Sequence, residues 1–96
     1  MDKEKILTIL QEYKQEFAKE YTITTLGIFG SVVRDEAGLN SDVDVVVRIK
    51  EPDLFMLAGI KDDLEKRFHR PVDIVTYREN MNQFLKKRID REAIYV

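Results

Sequence analysis

Gly30-Ser31, Arg34, Ser41-Asp42-Val43-Asp44 and Asp73 are the residues of this chain whose types and spacing could do chemistry. Asp42 and Asp44 stand two positions apart at the head of an apolar run, Val45-Val46-Val47. On a strand that spacing turns both carboxylates to one face, with their Cα atoms about 7 Å apart. Asp73 opens a second apolar segment, Val72-Asp73-Ile74-Val75. Three carboxylates brought together repel and raise one another's pKa. A hard divalent cation resolves that conflict, and Mg²⁺ takes oxygen ligands that it shares with substrate phosphates. Two such ions about 4 Å apart clamp the attacking and leaving oxygens of an in-line phosphoryl displacement.

The Gly-Ser pair supplies the other half of such a site. Gly30 has no Cβ, so its backbone can come close to a phosphate. Ser31 adds a hydroxyl and the start of a helix, where free N–H groups favour anions. Arg34 lies about one helical turn further on and can point to the same ligand. The chemistry is attack by an acceptor hydroxyl on the α-phosphorus of a nucleoside triphosphate, with pyrophosphate leaving into the Gly-Ser turn. Asp73 is the candidate to help deprotonate the acceptor. Ser41 leads directly into Asp42.

The elements that must position these residues follow from pattern. Residues 3–20 predict an amphipathic helix with Ile6, Leu10, Tyr13 and Phe17 on one stripe, capped by Asp2. Residues 23–30 predict a strand, and residues 32–37 a short helix capped by Ser31 and closed near Gly38. Asp42 to Ile49 is a second strand, buried on both faces by its valines. Asp53 to Phe68 is a helix with Leu57, Ile60, Leu64 and Phe68 inward, which Gly59 weakens enough that it could start later. Val72 to Thr76 is a third strand, and residues 80–92 a last helix with Phe84, Leu85 and Ile89 inward.

The fold class is therefore α/β, a small mixed sheet flanked by helices in the order α-β-α-β-α-β-α. A helix of crossover length joins strands two and three, so they run parallel and bring their aspartates to one edge. The first strand carries Gly30 at its end. It reaches that edge only by running antiparallel to the second.

Composition agrees with one nucleotide-sized site on one domain, residues 1–96. The chain is 44% hydrophobic and 35% charged, the balance of a folded globular protein. A net charge of −2 gives no global field to hold DNA. No apolar run is long enough for a membrane span, and the absence of cysteine excludes disulfides and thiolate metal sites. A cytoplasmic location is the default expectation.

These residues resemble the nucleotidyltransferase superfamily of DNA polymerase β, and within it the minimal nucleotidyltransferases. The family pattern is Gly-Ser, an arginine three residues after the serine, Ser-Asp-x-Asp, and a distant aspartate on a strand. Gly30, Ser31, Arg34, Ser41, Asp42, Asp44 and Asp73 fill it, and the likeness continues through the closing Arg91-Glu92-Ala93-Ile94-Tyr95-Val96. Small members commonly read Gly-Ser-x-Ala-Arg-Gly-Glu-Ala, where this chain has Val33 and Asp35. The resemblance implies an Mg²⁺-dependent enzyme, with two ions on Asp42, Asp44 and Asp73 and with ATP as substrate. It also implies a helical HEPN-type partner, a ribonuclease toxin that the nucleotidyltransferase neutralises by adenylylating a tyrosine. A partner or a second copy of the chain, as a homo-oligomer, could supply the surface that larger relatives build from a second domain. Neutralisation by contact alone and modification of a small molecule such as an aminoglycoside are the rival readings.

Plainer readings stand beside each residue. Asp42 and Asp44 alone could be a solvated strand edge. A phosphatase of the haloacid dehalogenase type also uses Asp-x-Asp, but there the apolar strand precedes the aspartates, and here the valines follow. Arg34 could pair with Asp35 or Glu36 on the surface; its helical phase with Ser31 favours the phosphate. Gly27 does structural work, and His69 reads as a solvated turn residue. Tyr77 reads as a half-buried tyrosine at a strand end. Lys86-Lys87-Arg88 read as a solvated face complementing the helix dipole, and Ile94-Tyr95-Val96 as a tail packed on the core.

Overall fold

A computed structural model describes residues 2–36, 38 and 41–96. Helix α1 spans Lys3–Phe17 and begins where the Asp2 carboxylate accepts from the Lys5 N–H at 2.9 Å. Its stripe Ile6, Leu10 and Tyr13 is fully buried. It ends three residues short of the expected 20, because the chain reverses through Thr22, whose φ of 51° is incompatible with a continuing helix. Strand β1 (Ile23–Phe29) follows and runs into a single 3₁₀ turn, Gly30–Val32. This turn replaces the short helix expected over residues 32–37, of which Ala37 lies outside the described residues.

Strand β2 spans Val43–Ile49, helix α2 Leu54–Phe68 and strand β3 Val72–Thr76. Gly59 does not delay α2. The Asp53 carboxylate accepts from the Phe55 and Met56 N–H groups at 2.7 and 3.3 Å and sets the start ahead of it. A Cβ on Gly59 would stand 3.4 Å from the Tyr21 hydroxyl, an ordinary contact. Gly59→Ala is therefore expected to stabilise the fold by roughly 0.5–1 kcal/mol, read as a higher urea midpoint at unchanged slope. At the other end, His69 caps α2 with a φ of 56° and is exposed, the turn role expected for it.

Helix α3 spans Gln83–Glu92, starting three residues later than expected because the Asn82 side chain caps the Leu85 N–H. Phe84 is 84% exposed, against the expectation that it faces inward. It falls in the first turn, one position off the Leu85–Ile89 stripe that packs down. The tail forms a fourth strand, β4 (Ile94–Tyr95), which is not among the expected elements. Ile94 and Val96 do pack against the core as expected.

The sheet order is β3-β2-β1-β4, with β2 and β3 parallel and β1 antiparallel to both β2 and β4. A Cβ on Gly27 would meet the Ile94 carbonyl at 2.6 Å, so glycine there is what lets β4 close onto β1. Alternation along β2 sorts its side chains. Val43, Val45, Val47 and Ile49 join the main core with α1 and α2, while Val46 joins Phe29 and Ile89 in a smaller core under α3. Tyr13 ties α1 to α2: its hydroxyl donates to Asp63 at 2.8 Å, and Arg67 stacks over its ring.

Candidate active site

The alternation that buries Val43 and Val45 under α1 and α2 turns the even-numbered positions of β2 to the α3 face. Asp42 and Asp44 share that face with Val46. On β3, Val72 joins the main core and Asp73 turns to the α3 face with Val75. The parallel register pairs Asp44 directly with Asp73, so their backbones are neighbours about 4.8 Å apart. The antiparallel register pairs Asp44 with Phe29 on its other side, which places Gly30 immediately beyond. The three aspartates and the Gly-Ser turn thus meet at one sheet edge, on one face.

Gly30 has a φ of 79°, and a Cβ built on it would run into the Asp44 carboxylate. Its carbonyl closes the turn by accepting from the Val33 and Arg34 N–H groups at 3.1 and 3.2 Å. Asp35 sits where small family members commonly have glycine, and its φ of 58° explains the usual glycine. Aspartate is among the side chains that best tolerate this conformation.

Burial pushes the Asp44 carboxyl above the usual aspartate range, and the neighbouring charge of Asp73 pushes it further. Arg88 opposes the shift, Asp42 adds to it, and Arg34 opposes it. Asp42 and Asp73 themselves are exposed. Among the described residues no group of three His, Cys, Asp or Glu side chains is placed to hold a metal ion by itself. The aspartates instead offer hard oxygens at one end of neighbouring strands. Such an open set fits a cation that keeps waters and takes phosphate oxygens, as Mg²⁺ does, and does not fit a closed structural ion.

Arg34 is committed to carboxylates on two sides. Its Nε donates to Glu36 at 3.0 Å, and its Nη1 donates to Glu92 at 3.0 and 3.1 Å. Of the two partners expected for it, Asp35 and Glu36, the second is present, and Glu92 is an unexpected third. Ser41 shapes the approach to Asp42: its Oγ accepts from the Gly38 N–H at 2.9 Å. Arg70 pins the same loop, donating from Nε and Nη2 to the Ser41 carbonyl at 3.1 and 2.7 Å. Arg88, expected to be a solvated helix residue, lies 5.8 Å over the Phe29 ring and 3.6 Å from Glu92. Lys86 is likewise drawn in, against Asp90 and the Tyr77 ring. Tyr77 is the half-buried strand-end tyrosine expected, its hydroxyl donating to Asp90 at 2.7 Å.

A fold of this topology with carboxylates and a glycine turn on one edge defines a class, and residues 7–96 match the nucleotidyltransferase domain family. The chain belongs to that family, among its minimal members, and nucleotidyl transfer is its class of activity. It is 34% identical over 94 residues to the protein adenylyltransferase MntA of Thermococcus cleftensis, covering 97% of this chain and 94% of the relative. A Methanocaldococcus jannaschii protein named for protein adenylyltransferase activity is 32% identical over 92 residues, 95% of this chain and 94% of the relative. A solved minimal nucleotidyltransferase structure superposes with a TM-score of 0.78 at 33% identity, covering 98% of this chain and 95% of that one. A toxin–antitoxin complex with AMP-PNP shares the fold at a TM-score of 0.72 and 17% identity, over 88% of this chain and 70% of that one. No helix among the described residues is long and apolar enough to cross a membrane.

Proposed function

We propose that this chain transfers AMP from ATP to a tyrosine hydroxyl of a HEPN-type partner protein and so acts as that partner's antitoxin. The observation that carries the reading is the register of Asp44, with Asp73 beside it on β3 and Phe29, the residue before Gly30, beside it on β1. Adenylyl transfer to protein is supported by the relatives named for it. The partner is suggested by a fold neighbour described as an MNT antitoxin in complex with an AMPylated HEPN toxin.

Asp42, Asp44 and Asp73 are the residues that would hold Mg²⁺, as two ions. When bound, Mg²⁺ supplies charge neutralisation for the triphosphate and a lowered pKa for an oxygen nucleophile. The chain's own residues supply the rest. Gly30 lets phosphate oxygens approach the backbone without a side chain between them. Ser31 offers its hydroxyl, and Arg34 offers the Nη2 group, which has no hydrogen-bond partner among the described residues. Ser41 sets the entry of the chain into Asp42. Asp73, exposed at the edge, takes the proton of the acceptor hydroxyl. The acceptor oxygen bonds to the α-phosphorus, the bond from that phosphorus to the bridging oxygen breaks, and pyrophosphate leaves with the electron pair.

The test is incubation with Mg²⁺ and ATP labelled at the α-phosphate in lysate of the source cell. A labelled protein band is expected, absent with Asp42→Ala. Label found only in small metabolites would overturn the protein acceptor. No label, with stoichiometric partner binding kept in Asp42→Ala, would overturn catalysis in favour of neutralisation by contact.

A further inference from the structure

We infer that Glu92 is a positioning residue of this site, holding the Gly30 amide and the Arg34 guanidinium together from the end of α3 so that the turn and the arginine are set for phosphate. The inference rests on the nucleotide reading above and adds a residue to it. Glu92 Oε1 accepts from the Gly30 N–H at 2.9 Å and from Arg34 Nη1 at 3.0 Å. Oε2 accepts from the same Nη1 at 3.1 Å. One carboxylate therefore joins the two pieces of the turn that the chemistry needs in fixed relation.

The direction of its approach matters. Gly30 directly follows β1, which lies between β2 and β4. Asp44 adjoins the turn from the β2 side, and Glu92, two residues before Ile94, grips it from the β4 side. The Glu92 side chain is only 12% exposed, whereas that of Arg34 is 39% exposed. A carboxylate standing in for a phosphate would lie open to solvent beside the turn. A mostly covered one against a more exposed arginine is a support. Its own place is fixed by two elements, since Ile89 of the same helix is buried and β4 pairs with β1 directly after it. Burial disfavours its charge, but the Gly30 N–H and Arg34 outweigh that and keep the carboxyl below the usual glutamate range.

The experiment is Mg²⁺-dependent binding of AMP-PNP by the full chain, for the unchanged protein and for Glu92→Gln, Glu92→Ala, Arg34→Ala and the double alanine variant. Glu92→Gln keeps an acceptor for Gly30 but loses the charge on Arg34, and is expected to weaken binding by about 3- to 10-fold. Glu92→Ala is expected to weaken it by about 10- to 100-fold. In the double variant the loss from Glu92→Ala should shrink by about 3-fold or more, to the part that acts through the Gly30 amide, because Arg34 is then no longer there to misplace. A residue that only stabilised the fold would give losses that multiply. Multiplying losses, unchanged binding in Glu92→Gln, or tighter binding in Glu92→Gln would each overturn the inference while leaving the nucleotide reading intact. Should Glu92→Ala not fold, Glu92→Gln with Arg34→Ala completes the same cycle. Failure of the unchanged protein to bind AMP-PNP would overturn the nucleotide reading and this inference with it.

Discussion

Asp44→Asn is expected to reduce nucleotidyl transfer by about a thousandfold or more, a loss of roughly 4 kcal/mol of transition-state stabilisation. It is expected to do so without destabilising the protein. Asp44 is the half-buried member of the three carboxylates and the one with neighbours on both sides, Asp73 across one strand pairing and Phe29 across the other. Removing its charge in metal-free buffer relieves repulsion from Asp73 and Asp42 and the cost of burying an ion. The melting temperature with chelator present should therefore hold or rise while activity vanishes. A structural aspartate would behave in the opposite way, losing stability when neutralised. A variant that keeps activity within tenfold would show that Asp44 is not at the reacting centre.

Gly30→Ala is expected to damage both stability and activity. The backbone at Gly30 lies in the left-handed region, where a side chain costs about 1–3 kcal/mol. The new methyl would also collide with the Asp44 carboxylate. The turn must open or the carboxylate must move, and either displaces the groups proposed to bind phosphate. A fall in stability of roughly 2 kcal/mol or more is expected by urea unfolding, together with a loss of transfer of about a hundredfold. Gly59→Ala is the control, a substitution of the same size expected to raise stability. Equal effects at the two positions would mean that Gly30 is an ordinary turn residue.

The site was legible in the sequence to the extent that it depends on local period. Asp42 and Asp44 share a face because strand side chains alternate, and the parallel pairing of β2 with β3 follows from the crossover helix between them. Asp73 then falls beside Asp44 with no further information. The contacts that hold the turn were not legible. Glu92 meets Gly30 across 62 positions of sequence, and Arg70 meets Ser41 across 29. Neither spacing carries a periodic signal, because each depends on where one element ends relative to another. Phe84 is exposed because it lies one position, about 100° of helix rotation, from the Leu85–Ile89 stripe that packs on the sheet, and an apolar residue next to a stripe reads in the sequence like a member of it. Strand β4 is only two residues long, too short for alternation to reveal it. Gly27 held the clue, since a glycine inside a strand marks a close backbone approach.

In the proposed site Asp42, Asp44 and Asp73 jointly hold divalent cations over a nucleotide beside the Gly30 turn. The most direct measurement is the count of Mn²⁺ ions, used in place of Mg²⁺ and read by electron paramagnetic resonance, that the protein retains with AMP-PNP. Two ions per chain are predicted for the unchanged protein, with Asp44→Asn losing them. Retention no greater than AMP-PNP shows by itself, or the same count in Asp44→Asn, would contradict it.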